Sequence, residues 1–421
     1  LTEAPVAAAD VAAAITDAHR REWGFVLAAT VRVTRDLDLA EECVQDAYAQ
    51  ALATWPASGV PRAPGSWLTT VARRRAIDVI RREQTLRRKL PLLVSDDVEP
   101  PPASGSDFPD DRLRLIFTCC HPSLATESQV ALTLRLLCGL TTRDVARSFL
   151  VNEPTMAARI TRAKKKIAIA RIPYRVPAAA DLPARTHAVL MVVHLLFTTG
   201  HSAPDGDDLR RPDLVERALD LARMMRALLP GDPDVAGLLA LLLLTDARRA
   251  TRVGGDGRLL LLAAQDRTRW DHAAIAEGEA LLRESLRHRP PGRFAVQAAI
   301  AAVHATAPEW EATDWEEIVG LYDVLAATWP SPVVSLNRGI AVGMRDGPQA
   351  GLDALDRLGA EPQLATYPYL ASARADFLGR LGRRAEALSA YTEALLLTTN
   401  SIERRFLTDR IEEIERPEPA G

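Results

Sequence analysis

The chain has 421 residues, 48% of them hydrophobic and 25% charged, which supports buried cores and excludes a largely disordered protein. The longest apolar run, Ala236 to Leu244, falls well short of the roughly 18 residues a membrane helix needs, and no basic start with an apolar core opens the sequence. These features predict a cytoplasmic protein with no membrane partner. The net charge of −3 is divided unevenly, +5 over residues 1–177 and −8 beyond, which predicts nucleic acid as partner of the first part only.

Apolar residues recur at helical spacing almost everywhere, no run alternates like a strand, and Ala, Leu and Arg dominate. The fold class is all-α. The first informative segment runs from Asp38 to Trp55. Ala40, Cys43, Val44, Ala47, Tyr48, Ala51, Leu52 and Trp55 form one apolar stripe, and Asp38, Glu41, Glu42 and Gln45 fall on the opposite face, expected to be exposed. Taken alone, this segment reads first as an ordinary amphipathic helix with a solvated acidic face.

The second segment, Gly65 to Arg82, is expected to be a helix capped by Ser66. Trp67, Leu68, Val71, Ala72, Ala76 and Val79 can pack inward, while Arg74, Asp78, Arg81 and Arg82 share an outer face. Nine basic and two acidic residues lie between Val60 and Leu90. Such arginine density offers bidentate phosphate contacts that lysine cannot make. Residues 90–111 follow as an acidic, Pro-rich linker carrying Asp96, Asp97, Glu99, Asp107, Asp110 and Asp111.

The third segment reads as a helix-turn-helix. Thr141 to Phe149 is its first helix, Leu150 and Val151 the turn, and Asn152 the cap of a second helix opening on Glu153 and Pro154. Met156, Ile160, Ala163 and Ile167 form its buried stripe. Thr155, Ala158, Arg159, Arg162, Lys165 and Lys166 line a neighbouring face, and Thr155 to Arg171 holds six bases and no acid. The N-terminal residues of such a helix can reach base edges while later bases meet phosphates.

Beyond a Pro/Ala-rich break at Pro173 to Pro183, a helical extension is expected, with a loop over Gly200 to Pro212. Its last part repeats weakly at about 34 residues. Ala371, Ala375, Leu378, Gly382, Ala387, Tyr391 and Ala394 sit near tetratricopeptide spacings, preceded by Gly339, Val342, Gly351, Leu355 and Leu358. A general antiparallel helical array is the plain alternative. Gly254-Gly-Asp-Gly257 reads as a turn rather than a phosphate loop. His194 and His201 read as core or loop histidines. Cys43, Cys119, Cys120 and Cys138 read as buried thiols rather than metal ligands, because the C-x2-C spacing is absent. No P-loop, metalloprotease or serine-hydrolase signature occurs, so the chain is expected to be no enzyme and to carry no cofactor or metal.

The three segments in this order resemble the sigma-70 family, in its extracytoplasmic-function (ECF) branch. Asp38 to Tyr48 with Trp55 is similar to the polymerase-binding part of region 2, Trp67 to Arg82 to the part that melts and reads the −10 element, and Ser128 to Ile169 to region 4. Asp110 to Leu124, Leu195 to His201 and Gln265 to Asp271 resemble a subgroup with a tetratricopeptide-like extension, although Thr198 and Thr199 stand where that subgroup tends to have Asn and Glu. The resemblance implies that Asp38, Glu41, Glu42, Gln45 and Asp46 face core RNA polymerase. It implies that Trp67, Arg73, Arg74, Asp78, Arg81 and Arg82 act at the −10 element. Thr155, Ala158, Arg159, Arg162, Lys165 and Lys166 would act at the −35 element. The implied partners are core RNA polymerase, promoter DNA, and a protein or peptide held by the extension. The expected domains are region 2 at 1–89, the linker at 90–111, region 4 at 112–177 and the extension at 178–421. A one-component regulator would have no use for the Asp38–Arg82 region, and a pure scaffold would bind neither DNA nor polymerase.

Overall fold

The computed structural model describes residues 8–89, 111–149, 151–178, 180–203 and 206–416. They fall into two compact units, Leu1–Leu195 and Leu196–Gly421. Among the described residues there is no strand, only an isolated bridge between Val253 and Leu259. The linker segment 90–110 and Leu150 lie outside the described residues.

In the first unit, helices α1 (Ala8–Thr34), α2 (Leu37–Ser58) and α3 (Pro64–Lys89) pack on one another. Asp36 starts α2 by accepting the Asp38 and Leu39 amides at 2.8 and 2.9 Å. Gly59 ends it at φ 79°, a left-handed conformation that suits glycine. The predicted stripe is buried from Ala40 to Trp55 except for Leu52, which is 56% exposed. At about 100° per residue, Leu52 lies a quarter turn beyond the centre of the stripe. Helix α3 begins two residues before Ser66, at Pro64, so Ser66 lies in its first turn and is not the cap. Proline suits that opening position because the amide it lacks would be unpaired there anyway.

Four shorter helices complete the sigma-like part of this unit: α4 (Asp111–Cys119), α5 (Thr126–Leu136), α6 (Thr142–Ser148) and α7 (Glu153–Ile169). Asp111, read as the end of the linker, is the first residue of α4. Leu113 and Leu115 to Cys119 are all buried, since α4 packs against both α1 and α5. Thr141 caps α6 by accepting the Asp144 amide at 3.1 Å and donating to the Asp144 carboxylate at 2.7 Å. Asn152 caps α7 by accepting the Thr155 amide at 2.9 Å, and Met156, Ile160, Ala163 and Ile167 are buried as the spacing predicts.

Helix α8 (Leu182–His201) contains the division between the units. Gly200 belongs to it rather than to the predicted loop. A Cβ there would lie 2.8 Å from the Leu214 side chain, so glycine permits close packing at that point. The second unit continues with α9 (Pro212–Leu228), α10 (Pro233–Asp246), α11 (His272–Ser285) and α12 (Arg293–Thr306). The longest apolar run lies on α10, which packs against α9, α11 and α12 and is buried almost all round. No described helix is long and apolar enough to cross a membrane.

After α13 (Trp315–Thr328) the chain forms two antiparallel pairs, α14 (Pro332–Asp346) with α15 (Pro348–Asp356) and α16 (Pro368–Arg380) with α17 (Arg384–Leu397). The last described helix is α18 (Ser401–Glu415). Gly347 and Gly382 turn the two pairs with positive φ. Ala371, Ala375, Leu378, Ala387, Tyr391 and Ala394 share one core with Leu355 and Phe377.

Candidate nucleic-acid and protein interface

The acidic face of α2 divides into two environments. Glu42 and Gln45 are exposed and Asp46 is half-buried. Asp46 accepts from the Arg75 Nε at 2.8 Å, which ties this face to α3. Glu41, expected to be exposed, is 6% exposed. Lys164 of α7 hydrogen-bonds to its Oε2, and the Arg135 guanidinium lies 3.1 Å from its Oε1. Lys164 also donates to Asp38 at 2.8 Å. Burial alone would lower the Lys164 pKa, but Glu41 and Asp38 outweigh it and leave it raised, so the ammonium form is held.

Lys164 was absent from the residues expected to function. The signal for it was its position next to the α7 stripe, four residues after Ile160, where a lysine needs a carboxylate partner if it is to be covered. The same seam continues along α1. A Cβ at Gly24 would lie 2.4 Å from the Leu137 carbonyl oxygen, and Gly139, at φ 67°, lies against the Trp23 ring. Tyr174 donates to the carbonyls of Ala28 and Asp111 at 2.7 and 3.0 Å.

On α3, Arg73, Arg74, Asp78, Arg81 and Arg82 are all exposed. Trp67 is half-buried, its ring edge-on to Trp55 with centroids 5.5 Å apart. A groove of about 330 Å³ between α2 and α3 is lined by Asp46, Gln50, Val71, Arg74, Arg75 and Asp78. On α7, Thr155, Ala158, Arg162, Lys165 and Lys166 are exposed, and Arg159 is half-buried with its guanidinium 5.5 Å from the Phe149 ring centre. The two basic faces therefore stand on separate helices.

In the second unit, Gln265 to Asp271 is a structural hub. Trp270 donates to Thr251 at 2.9 Å, Arg267 to the carbonyls of His304 and Ala307, and Asp271 caps α11 through the Ala274 amide. Gly254 to Gly257 form a turn, closed by the Gly254 amide on the Arg258 carbonyl at 2.8 Å. A cavity of about 470 Å³ includes Arg210, Asp246, Arg249 and Asp271 in its lining, and these charges pair with one another.

A capped helix-turn-helix with a basic second helix, preceded by a helical unit with one acidic and one arginine-rich face, defines a sigma-type initiation factor. The comparisons agree. Sigma-70 region 2 matches residues 18–85 and sigma-70 region 4 matches residues 114–167. A family of unknown function, DUF6596, matches residues 185–286. The chain is 42% identical over 401 residues to a protein of Rhizobium meliloti (strain 1021) described as uncharacterized, covering 94% of each. It is 33% identical over 159 residues to the ECF RNA polymerase sigma factor SigK of Mycobacterium sp. (strain KMS), covering 36% of this chain and 78% of that one. With the SigK of Mycobacterium tuberculosis (strain ATCC 25177 / H37Ra) the figures are 31% over 154 residues, 35% and 78%. The chain belongs to the ECF branch of the sigma-70 family and is a transcription initiation factor.

Proposed function

We propose that the chain binds core RNA polymerase through Asp38, Glu41, Glu42, Gln45 and Asp46, and directs it to promoters through two DNA-reading helices. In this reading Trp67, Arg73, Arg74, Asp78, Arg81 and Arg82 act at the −10 element. Thr155, Ala158, Arg159, Arg162, Lys165 and Lys166 act at the −35 element. The observation that carries it is the capped α7, whose buried stripe turns a row of bases outward. An acidic face meeting a basic polymerase surface gives orientation and association rate more than affinity. Melting costs a few kcal/mol per unstacked step, which the backbone contacts of α3 help to offset. No step requires a catalytic residue or a cofactor from this chain, and its place of action is the cytoplasm.

The extension, with tetratricopeptide-like pairs at α14–α15 and α16–α17, holds a protein or peptide segment and acts as a further positive contact, because repeat surfaces commonly take a partner segment. Run-off transcription tests both parts. Sigma-free core polymerase should initiate at a specific promoter with the full chain, and a chain ended near Arg175 should keep DNA binding but lose transcription. No specific initiation by the full chain would refute the initiation role. Higher basal transcription from the truncated chain would make the extension inhibitory.

A further inference from the structure

In the second unit, Arg248 and Arg252 flank the short 3-10 turn Arg249–Thr251 that follows α10. The arginines gathered there have unlike surroundings. Arg249 pairs with Asp246 and Asp271 at 3.3 and 3.0 Å, and Arg210 pairs with Asp246 at 2.8 Å. Arg252, only 9% exposed, has no carboxylate partner. It donates to the His201 carbonyl and, at 3.2 Å, to Ser202 Oγ, and so closes the C-terminal end of α8. Arg267 closes α12 in the same way, on the carbonyls of His304 and Ala307. Arg248 has neither role. It is half-buried, and its guanidinium meets no acceptor among the described residues.

Polar atoms around Arg248 share that condition. Both ring nitrogens of His201 are buried and unpartnered, and so are the His304 Nδ1 and one Nη of Arg267. Arg248 stands near both imidazoles. Burial, Arg252, Arg248 and Arg210 hold the His201 pKa down, and burial, Arg248 and Arg267 hold that of His304 down. Burial, Arg248 and Arg210 likewise bring Arg252 down to about 10, against the opposing pull of Tyr369 and Glu403. The Glu403 carboxylate is itself engaged by the Tyr369 hydroxyl at 2.7 Å.

Covered donors and charges are nearly always paired in native proteins, because leaving them alone is costly. Here three guanidiniums and two neutral imidazoles lie together without a counter-ion. A phosphate monoester carries about −1.5 to −2 at pH 7 and presents three acceptor oxygens that match the guanidinium fork. A carboxylate would bring a single charge. The cluster is recessed, so the phosphate has to arrive on a slender carrier.

We propose that Arg248, with Arg252, Arg267, His201 and His304, forms a binding site for the phosphate group of a small phosphorylated molecule. This ligand is separate from any peptide that the helical pairs of the extension hold.

The test is isothermal titration of the full chain with inorganic phosphate and with phosphoserine at fixed ionic strength. Both should bind saturably. Arg248→Met should weaken binding about tenfold or more, and Arg248→Lys, which keeps the charge but loses the fork, should weaken it less. Without phosphate, Arg248→Met should melt roughly 2–4 °C above the parent, because it removes a covered charge that has no partner. A parent that shows no saturable binding would overturn the site. So would equal binding by the parent and Arg248→Met, which would put the anion on the basic faces of α3 or α7. Melting of Arg248→Met at or below the parent would show that the guanidinium supports the fold, and would overturn the site as well. Tighter binding of a phosphoserine peptide than of phosphoserine would overturn the small-molecule assignment in favour of a protein partner.

Discussion

Trp67 stands edge-on to Trp55, their ring centroids 5.5 Å apart, and so joins the first turn of α3 to the last turn of α2. Trp55 is fully buried and Trp67 half-buried. Trp67→Ala should therefore lower stability by about 1–3 kcal/mol, with Trp67→Phe costing less. Urea unfolding measures both. If Trp67→Ala unfolds like the parent yet fails to open promoters, the ring acts on DNA and not on the fold.

The proposed polymerase face should separate into exposed and buried carboxylates. Glu42→Lys should weaken core binding about tenfold and make it less sensitive to salt, with no change in the melting temperature. Glu41→Ala should do something different. It leaves Lys164 without its main partner and should cost about 1–3 kcal/mol of stability. Calorimetry alongside a core-binding titration distinguishes the two, and equal stability of the Glu41 variant would contradict the burial of that pair.

On α7, Arg159→Ala or Arg162→Ala should reduce −35 binding, by roughly 1–3 kcal/mol for a base contact. A phosphate contact would instead weaken all sequences alike and lower the salt slope by about one. Arg74→Ala, Arg81→Ala and Arg82→Ala should leave duplex −35 binding intact and impair open-complex formation, read by permanganate footprinting. Normal promoter binding by the α7 variants across several salt concentrations would rule out the recognition-helix role.

The second unit should weaken in acid. Burial, reinforced by Arg252, Arg248 and Arg210, pushes the His201 pKa down to about 2, and burial with Arg248 and Arg267 pushes His304 down to about 4. Both stay neutral in the folded state while the unfolded chain takes up protons below about pH 6.5. Their stabilising contribution is therefore complete above pH 6.5 and falls as the pH drops toward the folded values. The slope is about 1.4 kcal/mol per pH unit for each histidine. Denaturation at pH 7 and pH 5 should show the loss, and His201→Phe, which keeps the ring stacked on Phe197, should reduce it. Equal acid sensitivity of that variant would remove His201 from the account.

Much of this was legible where the physics is local. The cap at Asn152 and the stripe at Met156, Ile160, Ala163 and Ile167 need only spacing and hydrogen-bonding chemistry, and both are present. So are the small residues of the α16–α17 pair. The burial of Glu41 was not legible, because its partner Lys164 lies 123 positions away and a single sequence carries no signal for pairing at that distance. Leu52 lies at the edge of the apolar stripe and Ser66 at the edge of a helix, where a fraction of a turn decides exposure or capping. Gly200 was read as a loop residue because glycine marks both turns and close helix packing, and only the neighbour Leu214 tells which applies.

The buried thiols bear on how this protein can be signalled to. Burial, with Asp46 and Glu42 nearby, pushes the Cys43 pKa up to about 11; burial pushes Cys120 up to about 12 and Cys119 well above 9. At pH 7 the thiolate of Cys43 is then about one part in ten thousand, and the thiolate is the form that peroxides and electrophiles attack. These sulfurs are shielded twice, by access and by protonation. Cys43, Cys119 and Cys120 are thus poor targets for oxidants and electrophiles, whatever stress the cell meets.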